Sequence, residues 1–157
     1  MRIVADVDGV SRDLAGYLEK ELDFKIRNWN WNHHGKSIFE IIKEMNYEPL
    51  LKATPTEYID LVDEYAVELW TSQPKSWVSY TMDWLSKYLP TKKVRLFPSI
   101  IAKEESLDHV TILIEDFPGF DSFRNIILVD RAYNKDVQCK RVKNPYELER
   151  IIKEVLK

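Results

Sequence analysis

The sequence predicts an α/β fold: a mainly parallel sheet with helices on both faces, and a small helical insertion after the first strand. Three observations lead there. Short runs rich in β-branched and aromatic residues recur along the chain, segments with helical apolar spacing separate them, and a long helical block divides the first run from the others. With 157 residues the chain has the size of one domain with an elaboration, and its 45% hydrophobic and 31% charged composition is globular.

The elements follow in order. Ile3-Val4-Ala5 is an apolar run ended by Asp6, read as a buried strand entering a polar loop. Leu14, Tyr17, Leu18 and Leu22 share one face of a first helix. Ser37-Ile38-Phe39-Glu40 has capping-box spacing, and Ile38, Ile41, Ile42 and Met45 give the following helix its apolar face. Thr54-Pro55-Thr56-Glu57 repeats that logic ahead of Tyr58, Leu61, Val62, Tyr65, Ala66, Leu69 and Trp70, whose spacing predicts one helix through Trp70. Trp77-Val78-Ser79-Tyr80 then reads as a strand, Trp84 to Leu89 as a helix ending near Pro90, and Val94 to Phe97, Val110 to Ile114 and Ile126 to Val129 as further strands. Asn144-Pro145-Tyr146-Glu147 caps a last amphipathic helix carrying Leu148, Ile151, Ile152 and Val155. The expected division is a core of residues 1–13 and 76–157 with an insertion over 14–75.

Composition bounds the chemistry. A net charge of −3 gives no global positive field for duplex nucleic acid. No run of about 18 apolar residues occurs, so no membrane span is expected, and the single cysteine, Cys139, fits a reducing, cytoplasmic setting. The four glycines, Gly9, Gly16, Gly35 and Gly119, are too far apart for a G-x-G-x-x-G or P-loop phosphate cradle. Phosphate chemistry would need another device.

Strand-ending acids supply one. Ligands of open α/β sheets bind outside the carboxyl ends of the strands. Asp6-Val7-Asp8 follows the first strand, and Glu115-Asp116 ends Val110 to Ile114. Were these strands neighbours, up to four carboxylates would converge, a repulsion that calls for a cation, and all-oxygen donors favour Mg²⁺.

Asp6-Val7-Asp8-Gly9-Val10 resembles the first motif, D-x-D-x-T/V, of the haloacid dehalogenase-like phosphohydrolases. Ile126-Ile127-Leu128-Val129-Asp130-Arg131-Ala132-Tyr133-Asn134 is similar to the ILFDRPYN stretch of the 5′(3′)-deoxyribonucleotidases, and Arg141-Val142 with Asn144-Pro145-Tyr146-Glu147-Leu148 resembles that family's ending. The resemblance covers nearly the whole chain. It implies a Rossmann-like core with a helical cap, and a Mg²⁺-dependent phosphomonoesterase forming an aspartyl-phosphate. Asp6 is then the nucleophile and Asp8 the general acid and base. Thr81, with Ser79 as an alternative, is the hydroxyl donor of the second motif, and Lys103 is the lysine preceding the fourth. Mg²⁺ would be held by Asp6, the Asp8 carbonyl, Glu115 and Asp116, with Glu115 standing where aspartate is usual. Lys92 and Lys93 read as surface, and Ser11-Arg12 is more polar than the family's usual sequence.

Within the insertion, Trp29 and Trp31 lie outside strong periodicity beside Asn30, Asn32, His33 and His34, and suit a nucleobase stacking against an aromatic ring. Trp70 reads as core, and Phe117, Phe120 and Phe123 as loop packing. The partners expected are a small nucleotide or another phosphomonoester, with no duplex nucleic acid and no membrane, and a homodimer is compatible. Base, sugar and phosphate position stay open.

Overall fold

The strand β1 (Arg2–Ala5) runs up the middle of the molecule, and the rest of the sheet is laid down on either side of it. A computed structural model describes residues 1–157. After β1 come α1 (Leu14–Leu22), α2 (Ile38–Glu44), α3 (Glu48–Lys52), α4 (Ile59–Tyr65), β2 (Ala66–Ser72) and α5 (Lys75–Tyr88). There follow β3 (Lys93–Phe97), α6 (Ile100–Glu105), β4 (Thr111–Glu115), β5 (Ile126–Val129), a 3₁₀ turn (Ala132–Asn134), β6 (Arg141–Val142) and α7 (Pro145–Val155). The six strands are all parallel, in the order β3-β2-β1-β4-β5-β6, so the fold is α/β with a Rossmann-like core.

Local chemistry accounts for most of these elements. β4 (TILIE) and β5 (IILV) are buried along their whole length, as continuous apolar runs in the interior of a parallel sheet should be. Ser37 and Glu40 close both legs of their capping box, and Asn144 accepts from the Glu147 amide with Pro145 opening α7. Val62, Trp84, Leu85, Leu148, Ile151 and Ile152 pack from α4, α5 and α7 onto one face of the sheet, joined by Tyr58 from just before α4. The opposite face, with Val4, Trp70, Leu113 and Ile126, is covered by α6 and by Phe117, Phe120 and Phe123 of the following loop. No helix is long and apolar enough to cross a membrane.

Three expectations need correction. The helix predicted through Trp70 stops at Tyr65, and Ala66–Ser72 is a strand paired on both sides, Leu69 with Ala5 and with Val94. Its apolar residues continue the helical spacing, but burial between two strands overrides that local preference. Trp70 is core, as expected, but in a strand. Conversely, the predicted strand Trp77–Tyr80 is the first half of α5. Its β-prone residues disguise a helical period, for Trp77, Thr81, Trp84 and Leu85 are the residues α5 buries. The predicted cap at 54–57 does not open a helix either: Thr56 instead accepts from the Tyr58 amide and bonds the Val10 carbonyl, pinning the loop after β1.

These shifts move the edge of the insertion. Expected over 14–75, its second half belongs to the sheet: β2 is an interior strand, and α4 packs in the main core. The separate helical cluster consists of α1, α2 and α3, built on Leu14, Leu18, Ile26, Ile41, Ile42 and Leu50. α5 joins the two bodies, with Trp77 in this cluster and Trp84 and Leu85 in the main core.

Candidate active site

The chain leaves β1 towards β2 and β3 on one side and returns to β4, β5 and β6 on the other, so the strand order reverses between β1 and β4. At such a point the loops leave in opposite directions and open a crevice at the carboxyl ends of the strands. Ala5 pairs with Ile114 in register, and the Asp6 amide continues the ladder to the Ile114 carbonyl at 2.9 Å. Asp6 and Glu115 therefore emerge side by side, with Asp116 next. Carboxylate oxygens of Asp6, Glu115 and Asp116 lie within 4.8 Å of one another, and all three residues are buried.

Lys103, from α6, enters this cluster. Its Nζ donates to Asp6 Oδ1 at 2.7 Å and to Glu115 Oε2 at 2.6 Å, with 1% of the residue exposed. The other Glu115 oxygen, Oε1, accepts from the amides of Asp116 at 3.0 Å and Phe117 at 3.2 Å. The longer glutamate thus bends back onto its own loop while reaching the lysine. Tyr133 donates its hydroxyl to Asp116 Oδ2, and Asn134 donates to the Asp116 carbonyl at 2.9 Å. Gly9 lies under Asp116: a Cβ there would sit 1.8 Å from Asp116 Oδ2, and the backbone has φ of +81°, so glycine is required twice over. Arg131 donates twice to the Gly9 carbonyl, at 3.0 and 2.7 Å, and pairs with Glu57. Ser11 donates to the Asp6 carbonyl at 2.9 Å.

The electrostatics follow from burial. Desolvation, reinforced by Glu115, pushes the Asp6 carboxyl up to about 8. Asp116 is driven well above the ordinary carboxylate range by burial first, then by Glu115 and Asp6. Burial pulls the Lys103 ammonium down, but the attraction of Asp6 and Glu115 outweighs it and holds the group above its ordinary value. Three buried carboxylates against one ammonium leave the cluster short of positive charge. Its donors are all oxygen, which fits a small hard divalent cation.

The cluster opens into a cavity of about 600 Å³ between the cap helices and the sheet. Trp29, Trp31, Phe117 and Tyr133 line it, with Trp29 meeting Phe117 edge-on at 4.9 Å and Tyr133 at 5.6 Å. Trp29 is 42% exposed, whereas Trp31 also packs on Phe24 in the cap. Lys103 is the one lysine or arginine on the cavity wall.

Asp6, Lys103, Glu115 and Asp116 are brought together, then, and Asp8, Trp29 and Trp31 face the same cavity. Asp8's carboxylate is outside the acidic cluster, held by Arg12. Thr81 is displaced from its expected place. It lies in the interior of α5, fully buried, donating to Gln73 Oε1 at 2.7 Å and accepting from Arg12, and it does not line the cavity. The hydroxyls at the end of β2, the strand beside β1, are Thr71 and Ser72, and both line it. Ser79, the alternative, is exposed on α5, and Lys92 donates to the Ala66 carbonyl at the start of β2. Phe120 packs in the core as expected, while Phe117 reaches the cavity. Sequence reasoning missed Thr71, Arg12 and Tyr133. A carboxyl-end hydroxyl in Leu69-Trp70-Thr71-Ser72 could have flagged Thr71 had that run been read as a strand.

No protein-family model matches this chain, and no curated protein matches it.

Proposed function

We propose that the chain is a Mg²⁺-dependent phosphomonoesterase of the haloacid dehalogenase-like kind, acting on nucleoside monophosphates. One observation carries the reading: Asp6, Lys103, Glu115 and Asp116 form a buried cluster at the strand-order reversal, facing an aromatic-lined cavity. Asp6, Glu115, Asp116 and the Asp8 carbonyl would hold the cation. When bound, Mg²⁺ would supply charge neutralisation for the incoming phosphate and orient it.

The protein's own groups divide the remaining work. An Asp6 carboxylate oxygen attacks phosphorus, the ester P–O bond breaks, and Asp8 delivers a proton to the leaving oxygen. Water then attacks the phosphorus of the aspartyl-phosphate, Asp8 takes its proton, and the bond to Asp6 breaks to release orthophosphate. Lys103 offsets the charge of nucleophile and phosphate, and Thr71 donates to a phosphoryl oxygen.

The lining favours a substrate with a single phosphate and a ring-bearing neutral portion. With Lys103 the one cationic side chain on the wall, a second phosphate or a nucleic-acid end would meet uncompensated carboxylates. Trp29, exposed at the rim against Phe117 and Tyr133, offers a face for a base. A cytoplasmic setting accords with the single thiol of Cys139.

The test is hydrolysis of nucleoside 5′- and 3′-monophosphates, sugar phosphates and p-nitrophenyl phosphate with and without Mg²⁺. Turnover is expected only with the metal, and Asp6→Asn abolishes it while leaving the fold intact. A wild type indistinguishable from Asp6→Asn on every substrate would overturn the reading. Trp29→Ala is expected to raise KM for nucleotides about tenfold and to leave p-nitrophenyl phosphate unaffected; equal effects on both would remove the base from that surface.

A further inference from the structure

Arg12 is fully buried, and each of its three guanidine nitrogens is committed. Nε donates to Asp8 Oδ1 at 2.7 Å and Nη2 to Asp8 Oδ2 at 2.9 Å, a two-pronged grip on the carboxylate. Nη2 also donates to Thr81 Oγ1 at 3.0 Å, and Nη1 to the Leu50 carbonyl of α3 in the cap at 2.8 Å. The guanidinium lies 5.6 Å from the centre of the Trp84 ring. Thr81 donates its hydroxyl to Gln73 Oε1, while Gln73 Nε2 is buried without a partner.

Burying a charged pair is a poor way to gain stability, because apolar residues of similar volume usually do as well. The fork does, however, fix where Asp8 points. Its side chain stays 25% exposed and on the cavity wall. A carboxylate has about four acceptor positions, and the fork uses two, leaving the remainder for a proton from the cavity side.

Resting on the phosphatase reading above, we propose that Arg12 is the positioning residue for the second half of the reaction, presenting Asp8 as the base that receives the proton of the attacking water. In that step the water oxygen bonds to phosphorus, the phosphorus bond to the Asp6 oxygen breaks, one water proton passes to Asp8, and orthophosphate departs with the Asp6 carboxylate regenerated. Arg12 touches neither phosphate nor water. It acts through Asp8, and its bonds to Leu50 and Thr81 set that aim from the cap and from α5.

The experiment is steady-state and pre-steady-state hydrolysis of p-nitrophenyl phosphate by Arg12→Met, Arg12→Lys and Thr81→Val in saturating Mg²⁺. Nitrophenolate leaves without a proton, so the first half is insensitive to Asp8. Slowing only the second half lowers kcat and KM in proportion and preserves kcat/KM. Arg12→Met is expected to lose about 10²-fold in kcat with kcat/KM within about twofold of wild type, and to show a burst of one nitrophenolate per enzyme. Arg12→Lys, which restores the charge without the fork, falls between the two. Thr81→Val, which keeps the ion pair and side-chain volume, shows the same pattern at smaller size and serves if Arg12→Met does not fold. A fall in kcat/KM matching that in kcat, or unchanged kcat, overturns the proposal and leaves the phosphatase reading standing. A wild type inactive on every phosphate removes both.

Discussion

Thr71 and Thr81 differ in what surrounds their hydroxyls. Thr81, within α5, has its proton engaged by Gln73 and its acceptor position by Arg12, whereas Thr71 stands next to last in β2, beside Ser72 and on the cavity wall. Thr71→Val is therefore expected to lower kcat/KM by about 10²-fold, the usual effect of removing one donor to a developing oxyanion. Steady-state kinetics on p-nitrophenyl phosphate check this against Thr81→Val, whose kcat/KM should stay near wild type. At this scale the acidic residues were legible because carboxylates that end an apolar strand stand out from local order alone, whereas Lys103 was picked out only by the resemblance to a known family. Arg12 and Tyr133 were not. Their work depends on partners at Leu50, Thr81 and Asp116, contacts that sequence spacing does not display.

Among the elements, β2 and α5 exchanged their expected natures for opposite reasons. Residues 66–72 carry helical spacing and become a strand because β1 and β3 flank them, while residues 77–80 carry strand-prone side chains and become helix because the apolar period continues to Leu85. The caps at Ser37 and Asn144 were readable because a cap is a local arrangement of one side chain and nearby amides. Within α5, Trp84 is 1% exposed and donates its indole proton to the Ala53 carbonyl at 2.7 Å. Trp84→Ala is expected to cost about 3–5 kcal/mol of folding stability, measurable by urea denaturation.

Over the whole molecule, the sheet gathers three acids where its strand order reverses, and this is expected to make stability depend on pH and, on the phosphatase reading proposed above, on a divalent cation. Asp6 sits at about 8 in the fold against an ordinary 3.8, and Asp116 is raised too, so the native state holds more protons than the unfolded chain between those values. Without a divalent cation, Tm should therefore fall as pH rises from about 4 towards about 8. Lys103, raised in the fold, contributes evenly across that window and loses its contribution only at higher pH. A cation bound by the carboxylates removes the repulsion, so the Tm gain on adding Mg²⁺ should be larger at pH 8 than at pH 5 in a thermal melt. An equal or smaller gain at pH 8 would place the metal elsewhere. The parallel architecture was legible from alternating runs, while the extent of the cap was not, because β2 hid inside it. α5 leaves its own mark on how this molecule can open. One unbroken helix is embedded at Trp77 in the cap and at Trp84 in the core, a strut shared by both bodies. Any movement of one body against the other would therefore have to bend or withdraw α5, whereas the stretch between α1 and α2, which carries Trp29 and Trp31 on the cavity wall outside any helix, could shift without breaking it.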